Sequence, residues 1–274
     1  MGGRESRINV KKILEILTPK EEEDKKLDDT VIYNVIGFLP VSDFVDNGML
    51  ISNTGYLIAE KNLNVCILDL NVFYPSLYNY LDAEPNEKGS GLLKILKDDK
   101  IDIRDQITAS KYKQLYLVSA SPYDLIEDYL DFSFEDVKRV IDELKDSFDI
   151  VLIDIPNNPP LEFCLGAMKY VHRGFITASE RLESIPNSIK LLNFVASLGI
   201  TTSKFTNLIF MNTMEVNYDY GALKESGLRV VANLPLVKQG IETYLEGGLY
   251  CKDSALTNKQ YMKNIKKVLE IILQ

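Results

Sequence analysis

The stretch Phe38–Leu50, FLPVSDFVDNGML, joins two segments whose patterns decide the fold. Before it, residues 31–38 form an apolar run typical of a buried strand. After it, residues 50–61 have helical periodicity, and residues 65–70 form a second apolar strand. In an α/β protein, a glycine-rich phosphate loop usually lies between such a strand and helix. Here the loop contains two aspartates, one glycine and no lysine, so its chemistry differs from that of a phosphate loop.

The composition is that of a soluble globular protein. The chain has 274 residues, of which 46% are hydrophobic and 26% are charged. No stretch of about 18 apolar residues and no secretory signal is present, and the three cysteines are scattered, so we expect a cytoplasmic protein without a metal cluster. The formal charge of −9 argues against general nucleic-acid binding, and a single histidine leaves little for histidine-dependent catalysis.

Beyond residue 30 the chain alternates apolar strands with amphipathic helices. This pattern predicts an α/β fold with a mostly parallel, doubly wound sheet of about seven strands and helices on both faces. We expect the strand at 31–38 to be central, flanked by those at 65–70 and 149–154. The other predicted strands are 115–119, 174–177, 207–211 and 229–234, and the later helices are 133–147, 184–197 and 258–273.

The N-terminal part differs from the rest and divides the chain into two regions, 1–29 and 30–274. An apolar stripe from Ile8 to Leu17 predicts a short amphipathic helix, and the charged residues 20–26 predict a linker. Three interpretations stay open for this helix: it contacts a partner protein, it lies on a membrane surface, or it packs on its own domain. Its shortness and the acidic linker favour protein contacts.

Five segments, in order, resemble the ParA/MinD family of P-loop ATPases, whose phosphate loop is a deviant Walker A motif and whose relatives include pilus-assembly proteins. The resemblance covers residues 31–274. Ile67–Leu77 matches the family's aspartate-containing second strand, Gly91–Leu96 its GLxxvL helix and Phe148–Pro156 its Walker B strand. Phe210–Asn212 matches its adenine-facing asparagine, and Leu234–Pro235 its late strand end.

The resemblance breaks at the phosphate loop, which reads KGGxGK[ST] in the family. In an alignment without gaps, Ser42 replaces the first lysine, and Asp43 and Phe44 replace the paired glycines. Asp46 replaces the third glycine, Asn47 the second lysine and Gly48 the hydroxyl residue. The lysines that would neutralise phosphate are lost, and two negative charges are gained. We therefore expect no cofactor, the alternative being ATP with Mg²⁺.

A structural role also explains these replacements, because serine and aspartate are favoured caps of a helix N-terminus. Ser42, Asp43 or Asp46 would then cap the helix that follows, and metal binding by the aspartates is the alternative. No catalytic or metal-binding residue is predicted.

Four further residues complete the remnant nucleotide pocket that the resemblance implies. Asp154 stands at the Walker B acid and Asp69 at the first acid of a DxD pair, whose second acid is replaced by Asn71. An amide is no general base, which puts water activation in doubt. Asn212 stands at the adenine-facing asparagine, and loop ordering is the alternative role for Asp154 and Asn212.

The resemblance implies that the Phe73–Tyr80 segment, which is rich in aromatic residues, meets a second subunit or a partner. Core packing is the alternative, since Leu77 and Leu81 continue a helical stripe. The favoured hypothesis is a non-catalytic pseudo-ATPase that positions or scaffolds a larger assembly, in segregation, pilus or secretion, or conjugation machinery. An ATPase with an altered loop that dimerises on ATP is the second hypothesis. A cytoskeletal or DNA-associated adaptor that needs no nucleotide is the third.

Overall fold

The structure, a computed structural model, describes residues 33–43, 45–214, 223, 226–253 and 258–274. Strands and helices alternate along it. The strands are β1 Val35–Pro40, β2 Val65–Asp69, β3 Thr108–Ala109, β4 Leu115–Val118, β5 Ile150–Asp154, β6 Arg173–Ala178, β7 Asn207–Thr213 and β8 Arg229–Pro235. The described helices are α1 Asn47–Ala59, α2 Leu77–Tyr80, α3 Leu92–Lys97, α4 Phe134–Ser147, α5 Leu161–Tyr170, α6 Ser184–Ser197, α7 Lys238–Leu245, α8 Tyr250–Asp253 and α9 Lys259–Ile272.

The eight strands form one sheet in the order β3-β4-β2-β5-β1-β6-β7-β8. Every pairing is parallel except that of the two-residue edge strand β3 with β4. Because the strands are parallel, their carboxyl ends meet at one edge, which we call the carboxyl edge. The predicted α/β class with a mostly parallel sheet is confirmed.

Both faces of the sheet are covered, which explains why the strands are apolar throughout instead of alternating. One core cluster lies between the sheet and helices α3, α4 and α5, and the other lies between the sheet and helices α1 and α9. Helix α9 illustrates the pattern: Tyr261, Ile265 and Val268 are buried at intervals of four and three residues. The periodicity that predicted these helices is the periodicity with which they bury apolar side chains.

One part of the predicted topology is wrong. Strand β1 is central, but its neighbours are β5 and β6, not β2 and β5. Strand β2 lies one strand further out, between β5 and β4. The reason is that β5 inserts between β1 and β2, and all three strands are equally apolar, so nothing in their patterns distinguishes the orders. The helix predicted within 1–29 lies outside the described residues.

Among the residues that the structure describes, no helix is long and apolar enough to cross a membrane.

Candidate functional site

Helix α1 begins at the carboxyl edge, immediately beyond β1, and its N-terminus is capped by the protein itself. Asp46 is the N-cap: its Oδ1 accepts a hydrogen bond of 2.9 Å from the backbone N–H of Met49. A helix N-terminus exposes unpaired N–H groups and partial positive charge, and a carboxylate satisfies both. The capping role that the sequence predicted for this loop is therefore found at Asp46.

Ser42 and Asp43 do not cap the helix. The Ser42 Oγ accepts a hydrogen bond of 2.8 Å from the backbone N–H of Ser179, which follows β6. The side chain of Asp43 is 87% exposed, and its Oδ2 lies 3.6 Å from a guanidinium nitrogen of Arg181. The chain thus turns Ser42 toward the neighbouring strand and Asp43 toward solvent, so only one of the two aspartates places its charge on the helix. Phe44 lies outside the described residues.

Asn47, which the alignment placed at the second lysine, is buried and joins three strands. Its Nδ2 donates hydrogen bonds of 3.0 Å to the Oδ1 of Asp154 on β5 and 3.4 Å to the carbonyl of Phe38 on β1. Its Oδ1 accepts a hydrogen bond of 2.7 Å from the hydroxyl of Thr177 on β6. The amide provides donors at this position, but it carries no charge.

Gly48 lies directly beneath the ring of Tyr80. A Cβ atom at residue 48 would lie 2.5 Å from the Cε2 of Tyr80. The Tyr80 hydroxyl donates a hydrogen bond of 2.9 Å to Asp46 Oδ1, and its ring stacks on Tyr244 with centroids 4.2 Å apart. The ring of Tyr80 therefore covers the first turn of α1, and α2 and α7 hold it there.

Two buried carboxyl groups lie side by side next to this helix, since Asp69 on β2 is in register with Asp154 on β5. Burial raises the pKa of Asp69 to about 6. Hydrogen bonds from groups that include the backbone N–H of Asn71 and the hydroxyl of Ser119 lower this pKa and oppose the effect of burial. The pKa of Asp154 is raised to about 8, mainly by burial and secondly by the neighbouring Asp69. The hydrogen bond from Asn47 lowers this pKa and opposes both effects. Asp154 therefore keeps its proton to a higher pH than an exposed aspartate does, as expected for a buried acid beside a second carboxyl group.

The remaining candidate residues lie around this centre. Asn71 Oδ1 accepts hydrogen bonds of 3.1 Å from Asn158 Nδ2 and 3.3 Å from the backbone N–H of Tyr74, so it orders the loop after β2. Asn212 lies on β7, which is separated from β1 by β6, and its backbone is left-handed with φ of 53°. Within the described residues, no group of three or more histidine, cysteine, aspartate or glutamate side chains is arranged to hold a metal ion.

Two contributors to this site were missed from the sequence. Thr177 is the hydrogen-bond donor to Asn47, and Tyr244 is the stacking partner of Tyr80. Neither belongs to a recognisable motif, and Tyr244 is far from the loop in sequence. The residues of the predicted aromatic segment Phe73–Tyr80 have different surroundings. Phe73 and Tyr74 are exposed, whereas Tyr80 packs on helix α1.

The contact between Gly48 and Tyr80 leads to a first prediction. Replacing a helical glycine by alanine normally stabilises a helix by up to about 1 kcal/mol. Here we expect Gly48→Ala to lower the free energy of unfolding by about 1–3 kcal/mol, because the new methyl group overlaps the tyrosine ring. In a Tyr80→Ala background the same change should be neutral or stabilising. Urea denaturation of the four variants would measure this coupling.

A matched control separates the ring of Tyr80 from its hydroxyl. Tyr80→Phe keeps the ring and removes the hydrogen bond to Asp46, so Gly48→Ala should remain destabilising in that background. Equal effects of Gly48→Ala in the wild-type and Tyr80→Ala proteins would contradict the contact.

No family model matches the sequence, and no curated protein matches it. Solved structures do match. A ParA-family ATPase from Chlorobium tepidum has a TM-score of 0.73 at 15% identity, with 87% of this chain and 99% of that chain covered. MinD of Pyrococcus horikoshii, a septum site-determining protein complexed with Mg-ADP, has a TM-score of 0.71 at 16% identity, over 87% of this chain and 95% of that chain. The MinC:MinD cell division complex of Aquifex aeolicus has a TM-score of 0.71 at 14% identity, with 87% of this chain and 95% of that chain covered. The chain thus has the fold of the MinD and ParA ATPases, as the sequence resemblance implied.

Proposed function

We propose that this protein is a pseudo-ATPase with the ParA/MinD fold, which positions or scaffolds a larger assembly without nucleotide. The observation that supports this proposal is the N-terminus of α1. The position that an ATPase of this fold would offer to phosphate carries a carboxylate cap, a neutral amide and a tyrosine ring, supplied by Asp46, Asn47 and Tyr80.

The electrostatics favour the same conclusion. A phosphate at this helix would meet the carboxylate of Asp46, and two like unit charges about 4 Å apart repel by about 4 kcal/mol at an effective dielectric constant near 20. Micromolar binding amounts to about 8 kcal/mol, so one unneutralised carboxylate offsets about half of it. Asp43 adds less than the sequence suggested, since it points to solvent beside Arg181. We propose that the residues present do not fit Mg²⁺-ATP.

The second hypothesis, an ATPase with an altered loop, is favoured by comparisons that include the similar MinD structure from P. horikoshii, which is complexed with Mg-ADP. For this chain to bind nucleotide in the same place, Asp46 would have to leave the helix N-terminus and Tyr80 would have to leave Gly48. Slow turnover would still be expected, since Asn71 offers an amide where the family has an acid.

The setting of the scaffold is proposed by analogy alone: partitioning or segregation, pilus or secretion machinery, or conjugation. The similar A. aeolicus structure is a complex of MinD with MinC, which favours a protein partner for this chain as well. Candidate contact regions are the N-terminal stripe Ile8–Leu17, which lies outside the described residues, and the Phe73–Tyr80 segment. A homodimer is the other candidate assembly.

A thermal shift measurement with Mg²⁺-ATP tests the proposal. We expect the melting temperature to stay unchanged at millimolar ATP. A ligand at one hundred times its dissociation constant stabilises the folded state by about 2.7 kcal/mol, which is a clear shift for a domain of this size. A ParA protein that binds ATP serves as the positive control, and ATP hydrolysis should equal that of a buffer blank. A saturable shift with Mg²⁺-ATP would favour the altered-loop ATPase instead.

A further inference from the structure

Two loops at the carboxyl edge are joined into one surface, which we call the loop pair: residues 70–91 after β2 and residues 119–133 after β4. Asn86 Nδ2 donates a hydrogen bond of 2.9 Å to the carbonyl of Ser119, and the Ser121 hydroxyl donates one of 2.7 Å to the carbonyl of Asn86. The backbone N–H of Gly89 donates a hydrogen bond of 2.7 Å to Asp124 Oδ1. A surface that is already ordered loses little conformational entropy when it binds a partner.

The loop pair exposes large apolar side chains. The exposed fractions are 43% for Phe73, 66% for Tyr74, 63% for Tyr123, 56% for Leu125 and 55% for Leu130. Single exposed apolar residues are ordinary, but a concentration on two bonded loops is typical of an interaction site. Tyrosine and phenylalanine are also enriched at the centres of protein interfaces. The loop pair therefore has the composition of a protein-binding surface.

The charge of the loop pair limits what that partner is. Both loops lie wholly within the described part of the chain, and the exposed charged residues on them comprise five acids and one base: Asp82, Glu84, Glu87, Glu127, Asp131 and Lys88.

Three nearby contacts modify this charge without reversing it. Asp82 pairs with Lys111 at 2.9 Å, and the half-buried Asp128 lies 3.7 Å from Lys97. The half-buried Asp124 accepts a hydrogen bond from the Tyr129 hydroxyl. Within the part of the chain that the structure describes, Glu84, Glu87, Glu127 and Asp131 are exposed.

This charge excludes three occupants. In a symmetric dimer built on this surface, the same patch would face itself, and acids would oppose acids. Nucleic acid and anionic lipid would meet the same repulsion.

We propose that the loop pair binds a protein segment that presents apolar side chains between lysine and arginine residues. The proposal rests on the scaffold function proposed above and names the chemistry of its partner. The aromatic side chains Phe73, Tyr74 and Tyr123 supply contact area, and Glu87 and Glu127 select for a basic partner. Tyr80 takes no part, because it is committed to Asp46 and Tyr244.

Site-specific photocrosslinking in the native cell tests the proposal with the full chain. A benzophenone amino acid replaces Tyr74 in one variant and Tyr123 in a second. In a control variant it replaces Phe194, which is also exposed, at 47%, but lies on α6 outside the loop pair. We expect positions 74 and 123 to crosslink the same protein, through a peptide with net positive charge, and position 194 not to crosslink it.

A synthetic copy of the crosslinked peptide then gives the strength and the chemistry of the contact. Tyr74→Ser with Tyr123→Ser should weaken its binding at least tenfold, and Glu87→Lys with Glu127→Lys about fivefold or more, with the melting temperature unchanged. Binding should also weaken as salt increases. Crosslinking to a second copy of this chain, to a neutral or acidic peptide, or to nothing would overturn the proposal. Each of those results leaves the ATP measurement unaffected, so failure of this inference is distinguishable from failure of the pseudo-ATPase proposal.

Discussion

Replacing Asn47 by alanine should lower the free energy of unfolding by about 2–4 kcal/mol. Asn47 is buried and forms hydrogen bonds with Asp154, Phe38 and Thr177, which belong to three adjacent strands. Truncation leaves these groups in the interior without their partner, and a buried group without a hydrogen bond costs about 1–3 kcal/mol. Chemical denaturation followed by circular dichroism would measure the loss.

An exposed asparagine provides the control for this prediction. Asn193 lies on α6 and is exposed, so Asn193→Ala should change the free energy of unfolding by no more than about 0.5 kcal/mol. A loss below about 1 kcal/mol for Asn47→Ala would mean that the hydrogen bonds of Asn47 do not hold the carboxyl edge together.

Stability should fall as the pH rises from 6.5 to 8, which is the reverse of the usual behaviour of a paired carboxylate. The unfolded chain releases the Asp154 proton near pH 4, whereas the folded protein keeps it until about pH 8. The folded state therefore holds one more proton in this window, and the free energy of unfolding declines by up to about 1.4 kcal/mol per pH unit. Across the window the decline would approach about 2 kcal/mol.

Asp154 is the shifted group that makes stability decline through the whole of this window, and three other groups titrate at its edges. Asp69 has a pKa of about 6, so it lowers the free energy of unfolding with rising pH mainly below pH 6. The pKa of His172 is lowered by burial, so its contribution to the free energy of unfolding rises with pH through the ordinary histidine value of 6.5 and opposes the decline at the lower end of the window. Burial lowers the pKa of Lys204 to about 8, so the contribution of Lys204 to the free energy of unfolding rises above that pH.

Asp154→Asn is the matched variant, because it resembles the protonated acid and keeps an oxygen that accepts from Asn47. We expect this variant to lose the decline between pH 6.5 and 8 and to exceed the wild type in stability at pH 8. Thermal denaturation at closely spaced pH values would show the difference. A wild-type protein that is more stable at pH 8 than at pH 6.5 would contradict a neutral Asp154.

The fold was largely predictable because it depends on patterns that repeat along the chain. The helix predicted at 184–197 begins and ends where α6 does, and the strand predicted at 149–154 differs from β5 by one residue. The order of the strands was not predictable. Sheet position depends on which apolar surfaces meet in space, and β1, β2 and β5 all have continuous apolar sequences.

The sequence predicted only the part of the candidate site that is formed by residues close together in the chain. Asp46 could be named as a cap because a cap acts on the helix that follows it directly. The partners of Asn47 and Gly48 come from distant parts of the sequence, and no rule of spacing connects Gly48 with Tyr80 or Tyr80 with Tyr244. Asp43, one of the three alternatives for the cap, is exposed instead, and its Oδ2 lies 3.6 Å from a guanidinium nitrogen of Arg181, which is also distant in sequence.

The tyrosine ring above Gly48 has a consequence for the history of this lineage. The resemblance places a serine or threonine of the phosphate loop at residue 48, yet any side chain there would overlap Tyr80. Under the pseudo-ATPase proposal, a return to the family's loop would not start at this residue, because a serine or threonine at residue 48 would destabilise the protein while Tyr80 stays in place. Substitution of Tyr80 must come first, and that step alone removes packing and restores no activity for selection to act on. If the ancestor was an ATPase, Tyr80 acts as an evolutionary ratchet that makes the loss of the loop hard to reverse.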